Sequence, residues 1–401
     1  MKKVLNIGLN YFIQGGSDRY MVSLGKLLSE NGYEVIPFAA QNQNSIETEY
    51  ARYFPQGRKR DSINPRELIK SFYNLDSAKK LEQLIKDTSP DLAHIHIYYG
   101  KLSASILPVL KKYNIPTVQT LHEYKTICPT YTLYRNGHIC TDCKGKHFYK
   151  AALNRCNKGS LIQSLGISLE AYISRTIGSQ RLIDKFITVS DFQREKILEF
   201  DTISAQKIST VHNFLDASDF EPGFQPGTYF LYFGRLDKTK GILTLVKALE
   251  RLPHIKLLIA GTGDYENELR SYVTSHDMDN VEFLGFKSGN DLHDLIRGAI
   301  ACTIPSEWYE TFGLTTIESF ALGRPVIGAR IGGITEVISE GRDGFLFEPG
   351  NVDELTEKID LLNGMKETTA IEMGKKGRSK VEEQFSRQVH LQKITHIYNQ
   401  L

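Results

Sequence analysis

The chain has 401 residues, of which 41% are hydrophobic and 24% charged, the composition of an ordinary soluble globular protein. This length exceeds what a single hydrophobic core usually holds, so we expect two domains. The N-terminal residues carry too few apolar side chains for a signal peptide, and no run approaches the roughly 20 apolar residues that span a bilayer. We therefore expect a cytoplasmic protein, peripheral on the cytoplasmic face of the membrane.

The net charge of +2 is unevenly distributed along the chain. Residues 1–227 contain 29 basic and 22 acidic side chains (+7), whereas residues 228–401 contain 20 and 25 (−5). A basic first half indicates an anionic partner. The chain lacks the aromatic-plus-basic stripe of single-strand binders and the spacing of helix-turn-helix or zinc-finger motifs. An anionic membrane or a lipid-pyrophosphate acceptor therefore fits better than a nucleic acid.

Short apolar runs alternate with helical patterns along the whole chain. In the first half, the predicted strands cover residues 4–9, 34–39, 92–97, 117–121 and 185–189, with helical patterns such as 77–88 and 103–113 between them. A second series follows at residues 229–233, 256–260, 281–284, 300–304 and 326–329. Because many of these strands are continuously apolar rather than alternating, we expect parallel sheets that are covered on both faces.

Three stretches mark the domain organisation. Residues 216–228, rich in proline, glycine and acidic side chains, predict a linker between a first domain at 1–216 and a second at 217–385, before a final helix at 386–401. Residues 40–66, with the basic run 58–60, predict a surface loop or lid. Residues 122–185 form a long insertion in the first domain.

Four of the five cysteines fall within that insertion, at Cys128, Cys140, Cys143 and Cys156. The C-x2-C pair has the spacing of a structural zinc knuckle, and the two outer thiols could complete a tetrahedron around zinc or another thiolate-bound metal. Alternatively, all four are unligated thiols, some of them buried as small hydrophobic side chains. Disulfides are disfavoured in a cytoplasmic protein. The fifth cysteine, Cys302, lies in a buried strand pattern and is expected to pack in the core.

Two acids eight residues apart, Glu310 and Glu318, are the most informative feature of the chain. Glu310 lies in a predicted turn, and Glu318 lies in a helical pattern on the same arc as Leu314, Ile317, Ala321 and Leu322. A carboxylate on the packed face of a helix is costly unless another group satisfies it. The alternative is a surface glutamate beside a loop glutamate. We favour a helix N-terminus that presents N–H groups to an anion, with two carboxylates that bind hydroxyls.

This stretch resembles the E-x7-E signature of the retaining glycosyltransferases of family 4, which have the GT-B architecture. Further segments resemble the family in the same order: Gly15 and Gly16 with the helical pattern that follows, then residues 233–241, 259–264 and 283–286. The resemblance implies an α/β fold of two Rossmann-like parallel-sheet domains that face each other across a deep cleft. It also implies that the final helix packs back on the first domain.

The resemblance implies a role for each matching residue. Arg235 and Lys240 would bind the diphosphate of a nucleotide-sugar donor, and no catalytic cofactor is implied. Glu310 would accept hydrogen bonds from donor-sugar hydroxyls, Glu318 would reach the ribose, and His122 would lie beside the reacting sugar. The other implied substrate-binding residues are Gly15, Gly16, Ser190, Asn213, Gly263, Phe286, Phe312, Gly313, Leu314 and Thr315. Thr311 stands where many relatives carry glycine, so we expect a tighter or differently polar donor pocket.

The sequence therefore predicts a retaining enzyme that transfers a hexose or deoxyhexose from a nucleotide-sugar to a hydroxyl acceptor. The expected acceptor is a lipid-linked saccharide in the assembly of a cell-surface polysaccharide, such as capsule or O-antigen, or of a glycolipid. A nicotinamide-dependent oxidoreductase is disfavoured, because no G-x-G-x-x-G follows the first predicted strand. A non-catalytic sugar- or lipid-binding homologue is the other alternative. We also expect residues 144–185, which carry eight basic and two acidic side chains among apolar ones, to dock on an anionic membrane. The alternative is that these apolar residues pack the insertion against its own domain.

Overall fold

The computed structural model describes residues 1–57, 65–200 and 203–401, so the basic run 58–60 lies outside the described residues. The chain divides into two compact units. The first comprises Met1–Leu133, Thr141–Val211 and Leu391–Leu401, and the second comprises Tyr134–Cys140 and His212–His390. Residues 134–140 thus cluster with the second unit, although they lie within the insertion of the first domain. The domain boundaries at 216 and 386 remain predictions.

Strands and helices alternate along most of the chain, as the apolar runs predict. The strands are β1 (Lys3–Ile7), β2 (Glu34–Phe38), β3 (Leu92–Ile95), β4 (Thr117–Leu121), β5 (Tyr134–Arg135), β6 (His138–Ile139), β7 (Lys185–Thr188), β8 (Ile208–Thr210), β9 (Tyr229–Phe233), β10 (Leu257–Ala260), β11 (Val281–Gly285), β12 (Ala299–Ile304), β13 (Val326–Ala329) and β14 (Gly344–Phe347). The helices are α1 (Gly16–Glu30), α2 (Pro65–Phe72), α3 (Leu75–Thr88), α4 (Ile106–Lys112), α5 (Tyr149–Leu153), α6 (Leu161–Ile177), α7 (Asp191–Glu199), α8 (Ile242–Glu250), α9 (Glu266–Ser275), α10 (Gly289–Gly298), α11 (Leu314–Ala321), α12 (Ile334–Val337), α13 (Val352–Asn363), α14 (Glu367–Gln384) and α15 (Arg387–Tyr398). Within the described ranges, no helix is both long and apolar enough to cross a bilayer.

The first unit is built on a six-stranded sheet in the order β2-β1-β3-β4-β7-β8. All of its pairings are parallel, and Ile7 at the end of β1 lies opposite Phe38 of β2 and Ile95 of β3. These three side chains are fully buried, as expected for a parallel sheet covered on both faces. The chain leaves β1 in one direction toward β2 and later returns to pair β3 on the other side. The carboxyl ends of β1 and β3 therefore flank a topological switch point, where open α/β sheets bind ligands.

The second unit repeats this plan with the strand order β11-β10-β9-β12-β13-β14. Its strands are also parallel, and Leu231 of β9 lies between Leu258 of β10 and Cys302 of β12. The switch point falls between β9 and β12. Cys302 is fully buried there, so its predicted place in the core is confirmed. Two doubly wound parallel sheets confirm the predicted α/β fold class.

Helix α6 has an unusual arrangement of polar and apolar side chains. Its buried residues are Ser164 and Ser168, and the hydroxyl of Ser164 accepts a hydrogen bond from the Asn157 backbone N–H at 2.8 Å. Its exposed residues include four large apolar ones: Leu161, Ile162, Leu165 and Leu169. An amphipathic helix of a globular protein normally buries its leucines and exposes its serines. The exposed leucines of α6 depart from this rule.

Candidate active site

Two loops of the second unit meet at its switch point. One follows β9 and contains Arg235 and Lys240, and the other follows β12 and contains Glu310. Gly241, with φ +65°, lies so close to the second loop that a Cβ atom there would be 1.8 Å from the Pro305 carbonyl oxygen. The Glu307 backbone N–H donates to the Thr239 carbonyl oxygen at 2.9 Å. These contacts hold the two loops together, and any side chain at position 241 would push them apart.

The Glu310 carboxylate is buried and receives three hydrogen bonds on a single oxygen. Lys240 Nζ donates to Glu310 Oε1 at 2.5 Å, Ser306 Oγ at 2.7 Å and Trp308 Nε1 at 2.9 Å. Burial alone would raise the pKa of Glu310, but the charge of Lys240 and these hydrogen bonds lower it below the ordinary value. The carboxylate is therefore ionised at neutral pH. Among the described residues, Oε2 has no hydrogen-bond partner and can accept a hydrogen bond from a ligand.

The backbone of Glu310 is fixed as firmly as its side chain. Its carbonyl oxygen accepts a hydrogen bond from the Gly333 backbone N–H at 2.8 Å. Gly332, with φ +62°, packs so closely that a Cβ atom there would lie 2.3 Å from the same oxygen. The carboxylate thus sits on a rigid support, the arrangement expected of a group that must hold a ligand in one orientation.

The two cations of this site have different surroundings. The Arg235 side chain is 65% exposed, and its nearest acidic partner is Asp237 Oδ2, which lies 3.7 Å from Nη2. Lys240 is 23% exposed. Its ammonium forms an ion pair with Glu310 and lies 5.2 Å from the centre of the Trp308 ring. Arg235 is therefore accessible to an anionic ligand, whereas Lys240 already neutralises Glu310. The resemblance predicts both as ligand-binding cations and does not reveal this difference.

Helix α11 begins beside Glu310. Gly313, with φ +97°, precedes its first residue Leu314, and Glu318 is buried on the face that the helical pattern predicts. The Oγ1 atom of Thr316 is buried without a hydrogen-bond partner. Backbone N–H groups in the first turn of a helix lack intrahelical acceptors, so Leu314 and Thr315 can offer theirs to an anion.

Several other predicted residues of the second unit have mainly structural surroundings. Phe312 is buried against the rings of His212 and Phe385, at centroid distances of 5.7 and 5.5 Å. A Cβ atom at Gly263 would lie 2.1 Å from the Leu236 carbonyl oxygen, so a glycine there is explained by packing. Phe286, by contrast, directly follows β11, and its side chain is 73% exposed.

Asn213 is the remaining predicted residue of the second unit, and its side chain has an unusual feature. It is buried, and its Oδ1 atom has no hydrogen-bond partner. Buried polar atoms in native proteins usually have partners, so this oxygen is compatible with a ligand or water that donates to it.

In the first unit, the predicted site residues follow three strands: Gly15 and Gly16 come after β1, His122 after β4 and Ser190 after β7. Gly15 and Gly16 are exposed, and a Cβ atom at Gly15 would have no neighbour within 4 Å. His122 directly follows β4, and its Nε2 atom lies 3.1 Å from Nδ1 of His96. Burial lowers the pKa of His122 to about 3. Ser190, by contrast, is fully buried and caps α7 by accepting from the Gln193 backbone N–H at 3.1 Å, so the structure gives it a structural role.

The four cysteines of the insertion do not gather as a metal site requires. Cys140 belongs to the second unit and the other three to the first. Cys143 is buried with Phe148 and Ala151, and Cys156 packs against them. Within the described ranges, no three of the four sulfurs come close enough together to bind one ion. The residues therefore do not fit a structural zinc site in this conformation, and none of the four cysteines forms a disulfide.

Some residues of these sites were not predicted from the sequence. Ser306 and Trp308 share the Glu310 carboxylate with Lys240, and Trp308 is the single tryptophan of the chain. A lone tryptophan two residues from a predicted ligand-binding acid is a usable signal. In the first unit, His96 was missed, although a histidine at the end of a predicted buried strand is another such signal.

Comparison with known proteins shows where this architecture occurs. Residues 14–219 match the family described as Glycosyltransferase Family 4, and residues 216–380 match Glycosyl transferases group 1. An uncharacterized glycosyltransferase of Methanocaldococcus jannaschii is 23% identical over 362 residues, which cover 90% of this chain and 88% of that protein. An uncharacterized 42.6 kDa protein in the cps region of Klebsiella pneumoniae is 26% identical over 274 residues, which cover 66% of this chain and 64% of that protein.

Two further matches involve proteins whose names describe an activity or a ligand. Sulfoquinovosyl transferase of Arabidopsis thaliana is 33% identical over 155 residues, 38% of this chain and 29% of that protein. Among solved structures, sucrose-phosphate synthase from Thermosynechococcus elongatus superposes with a TM-score of 0.74 at 20% identity, covering 100% of this chain and 99% of that one. Anabaena HepE in complex with UDP-glucose has a TM-score of 0.71 at 17% identity, with complete coverage of both chains. The chain therefore belongs to the GT-B glycosyltransferases, and its first half to Glycosyltransferase Family 4.

Proposed function

We propose that this glycosyltransferase moves a hexose or deoxyhexose from a nucleotide-diphosphate sugar to a hydroxyl of a lipid-linked saccharide, with retention of anomeric configuration. The observation that carries the proposal is the ionised Glu310 carboxylate, which receives three donors on Oε1 at the switch point of the second sheet. A negative acceptor in that position suits the hydroxyls of a sugar. The exposed guanidinium of Arg235 at the same edge suits a phosphate.

The charges of this site support a division of work between its residues. Arg235 would bind the diphosphate with its planar fork, and the Lys240 ammonium, held by Glu310, would place a second positive charge near the leaving group. Glu310 Oε2 would accept from the donor sugar, and Glu318 would reach the ribose. The backbone N–H groups of Leu314 and Thr315, in the first turn of α11, would donate hydrogen bonds to a phosphate oxygen.

The reaction requires one bond exchange and one proton transfer. The bond between the anomeric carbon and the diphosphate oxygen breaks, and the acceptor oxygen forms a new bond to the same carbon on the same face. The acceptor hydroxyl proton passes to the departing diphosphate oxygen. Arg235 and Lys240 would stabilise the negative charge that develops on that oxygen, which is the usual role of preorganised cations in such a step.

Relatives support the choice of donor and setting. HepE is in complex with UDP-glucose, and TarM of S. aureus is in complex with UDP, so UDP-sugars are the first donors to test. The relative in the Klebsiella cps region supports a role in the assembly of a cell-surface polysaccharide such as capsule or O-antigen. The sulfoquinovosyl transferase of Arabidopsis shares the segment of highest identity among the relatives described above.

A thermal-shift panel tests the donor assignment. Nucleoside diphosphates and their sugars should raise the melting temperature, and at equal concentration the tighter ligands should raise it more, because a ligand that binds only the folded protein stabilises it. The matched variant Arg235→Ala should lose most of this stabilisation while it melts at the same temperature as the wild type without ligand. Equal stabilisation of both proteins by every nucleotide would remove Arg235 from the site.

We further propose that the first unit docks on an anionic membrane through the α5–α6 apolar surface. We define this surface by its exposed apolar side chains: Tyr149, Leu153, Leu161, Ile162, Leu165 and Leu169. The window 144–185 that contains it has a net charge of +6. Exposed Arg155 and Lys158 lie in the connection between α5 and α6. Apolar groups flanked by cations suit a bilayer with anionic head groups, and docking would bring the enzyme to a lipid-linked acceptor.

Not every apolar residue of that window contributes to the surface. Phe148 is buried, and the ring of Tyr172 packs against it at a centroid distance of 5.3 Å. Ile167 and Ile173 are partly buried. Phe148 and Tyr172 therefore pack within the insertion and do not belong to the α5–α6 apolar surface.

A further inference from the structure

Trp308 contacts both charged side chains that meet at the switch point of the second unit. Its indole Nε1–H donates to Glu310 Oε1 at 2.9 Å. The Lys240 ammonium lies over the same ring, 5.2 Å from its centre, a distance at which a cation is attracted to the ring face. The edge of the indole therefore holds the acid, and its face holds the cation.

The backbone beside Trp308 is tied to the loop that carries Lys240. The Glu307 carboxylate accepts a hydrogen bond from Thr244 Oγ1, in the first turn of α8, at 2.5 Å. The Glu307 backbone N–H donates to the carbonyl oxygen of Thr239, the residue before Lys240. Because the two loops are connected in this way, the indole ring and the ammonium stay beside each other.

Ser306 gives Glu310 a further hydrogen bond from the same loop as Trp308. Ser306 is buried, and its Oγ atom donates to Glu310 Oε1 at 2.7 Å. Two neutral groups therefore hold the oxygen atom that Lys240 also contacts. Neutral hydrogen-bond donors satisfy a buried carboxylate and stabilise its charged form without neutralising it.

Lys240 differs from these two neutral groups because a bound nucleotide-sugar would compete for it. A diphosphate carries more negative charge than a carboxylate, and the ammonium is a point charge on a flexible stem that can turn toward it. A buried carboxylate that lost all of its partners would be unstable. The hydrogen bonds from Ser306 and Trp308 do not depend on Lys240, so they remain when the ammonium turns toward a phosphate.

We propose that Trp308 is a positioning residue that, together with Ser306, keeps the Glu310 carboxylate in its orientation while the diphosphate of the nucleotide-sugar competes for Lys240. The face of the indole ring keeps the ammonium within the site during this exchange. Glu310 is therefore oriented for the sugar whether or not Lys240 contacts it. This role rests on the proposed function, but the support of Glu310 by Trp308 can be measured without any substrate.

Trp308 is the single tryptophan of the chain, so protein labelled with ¹⁵N-tryptophan gives one indole N–H signal in its proton–nitrogen NMR spectrum. A hydrogen bond to a carboxylate moves the proton signal downfield, so Glu310→Gln should shift it upfield. The decisive variant is Lys240→Met, which removes the ammonium but keeps a long side chain. Its indole signal should stay downfield. An upfield shift as large as that of Glu310→Gln would show that Glu310 depends on Lys240 and would overturn the proposal.

Saturation of the wild-type protein with UDP makes the same test without a substitution, because the diphosphate then competes for Lys240. Calorimetry confirms that UDP is bound. The indole signal should again stay downfield. A signal that moves upfield on UDP binding would overturn the proposal even if Lys240→Met does not fold.

A kinetic test separates positioning from a merely structural role. Trp308→Phe keeps a ring face for Lys240 but removes the N–H group. We expect kcat to fall by about ten- to a hundredfold, the effect of one hydrogen bond to a charged group, while the Kd of UDP stays the same. Ser306→Ala should show the same pattern, because it removes the other neutral partner of Glu310.

Tyr272→Phe is the matched control, because it also removes a hydrogen bond from an aromatic side chain to a carboxylate. Tyr272 Oη donates to Glu250 Oε2 at 2.7 Å on the surface of the same unit, so its loss should change neither kcat nor the Kd of UDP. Wild-type kcat in Trp308→Phe, or equal losses of kcat and of UDP affinity, would overturn the positioning role. If no nucleotide-sugar turns over while the indole signals are as expected, the proposed function is wrong and the support of Glu310 by Trp308 is not.

Discussion

At the scale of single residues, the Glu310 carboxylate is the centre of the second unit's site. Three donors share its Oε1 atom, and two of them, Ser306 and Trp308, lie within four residues of it in the chain. The third, Lys240, comes from the other loop and forms the ion pair. A carboxylate held in this way has lost its freedom to rotate, so it presents Oε2 in one direction. We therefore expect Glu310 to bind a ligand, unlike a surface acid that only forms an ion pair.

Glu310→Gln should impair catalysis more than nucleotide binding. The amide keeps the shape of the side chain but removes the negative charge, which weakens the interaction with the donor sugar and leaves Lys240 without its ion-pair partner. We expect turnover to fall by ~10²–10³, the scale for loss of one preorganised group. Turnover and calorimetric titration with the free nucleoside diphosphate measure the two effects separately.

Glu348→Gln is the matched control, because it removes one exposed carboxylate from the surface of the same unit. It should leave both quantities unchanged. A Glu310→Gln protein that differed from this control only in melting temperature would make Glu310 structural.

Arg235→Ala should reduce turnover by ~10²–10³, the scale for loss of one charge-stabilising group. The melting temperature without ligand should not change, because the Arg235 side chain is 65% exposed and has only a distant partner in Asp237. Arg235→Lys should recover part of the activity, since an ammonium supplies the charge but not the planar fork. Steady-state kinetics of the three proteins decide this. Full activity of Arg235→Ala would remove this residue from the diphosphate site.

At the scale of elements, α6 bears on two interpretations of its apolar residues. We expect them to face a membrane, and the alternative is that they pack against their own domain. The structure buries Ser164 and Ser168 and exposes leucines. No periodicity argument could have revealed which arc faces inward, because both arcs contain small or apolar side chains. The exposed arc depends on the packing of α5 against α6, which only the tertiary structure shows.

Replacing Ile162 and Leu165 by serine should therefore weaken membrane binding without unfolding the protein, because these side chains are 83% and 58% exposed. In co-sedimentation with vesicles, the wild-type protein should require anionic lipid and should dissociate as salt increases, because salt screens charges at the surface. Leu361→Ser removes an exposed leucine of the second unit and serves as the control. Equal recovery of wild type and double variant with anionic vesicles would show that another surface binds. Equal recovery of the wild-type protein with neutral and with anionic vesicles would show that charge does not contribute to membrane binding.

The cysteine segment gives a second prediction at this scale. Since no three of its four sulfurs meet among the described residues, protein purified without chelator should contain no stoichiometric metal. Its thiols should react with a thiol reagent without prior metal removal. About one zinc per chain, lost in Cys140→Ser and Cys143→Ser, would show that the segment rearranges around an ion, as the C-x2-C spacing predicts.

At the scale of the whole molecule, much of the architecture could be predicted from the sequence. The continuously apolar strands, such as residues 229–233, predict parallel sheets, and the helical arc predicts the burial of Glu318. The partners of Glu310 could not be predicted, because they depend on loops whose conformation is fixed by close backbone contacts such as that of Gly241 with Pro305. The hydrogen bonds of His96 with Asn6 and His122 depend on the order of strands in the sheet. Local sequence does not encode that order.

The switch points of the two sheets carry different side chains. The second has the cation Arg235 and the ionised acid Glu310, whereas the first has the neutral ring of His122. We propose that the charged groups of the second unit bind the nucleotide diphosphate.

The central claim is that the chain transfers sugar from a nucleotide-diphosphate donor with retention. Proton NMR tests it most directly, by recording the anomer of the sugar released to water from each donor of a nucleotide-sugar panel before mutarotation. We expect at least one donor to release nucleoside diphosphate together with a sugar that initially has the anomeric configuration of the donor, and Glu310→Gln to abolish this signal. Initial release of the opposite anomer would contradict retention. Absence of turnover and of binding across the whole panel would contradict the donor assignment itself.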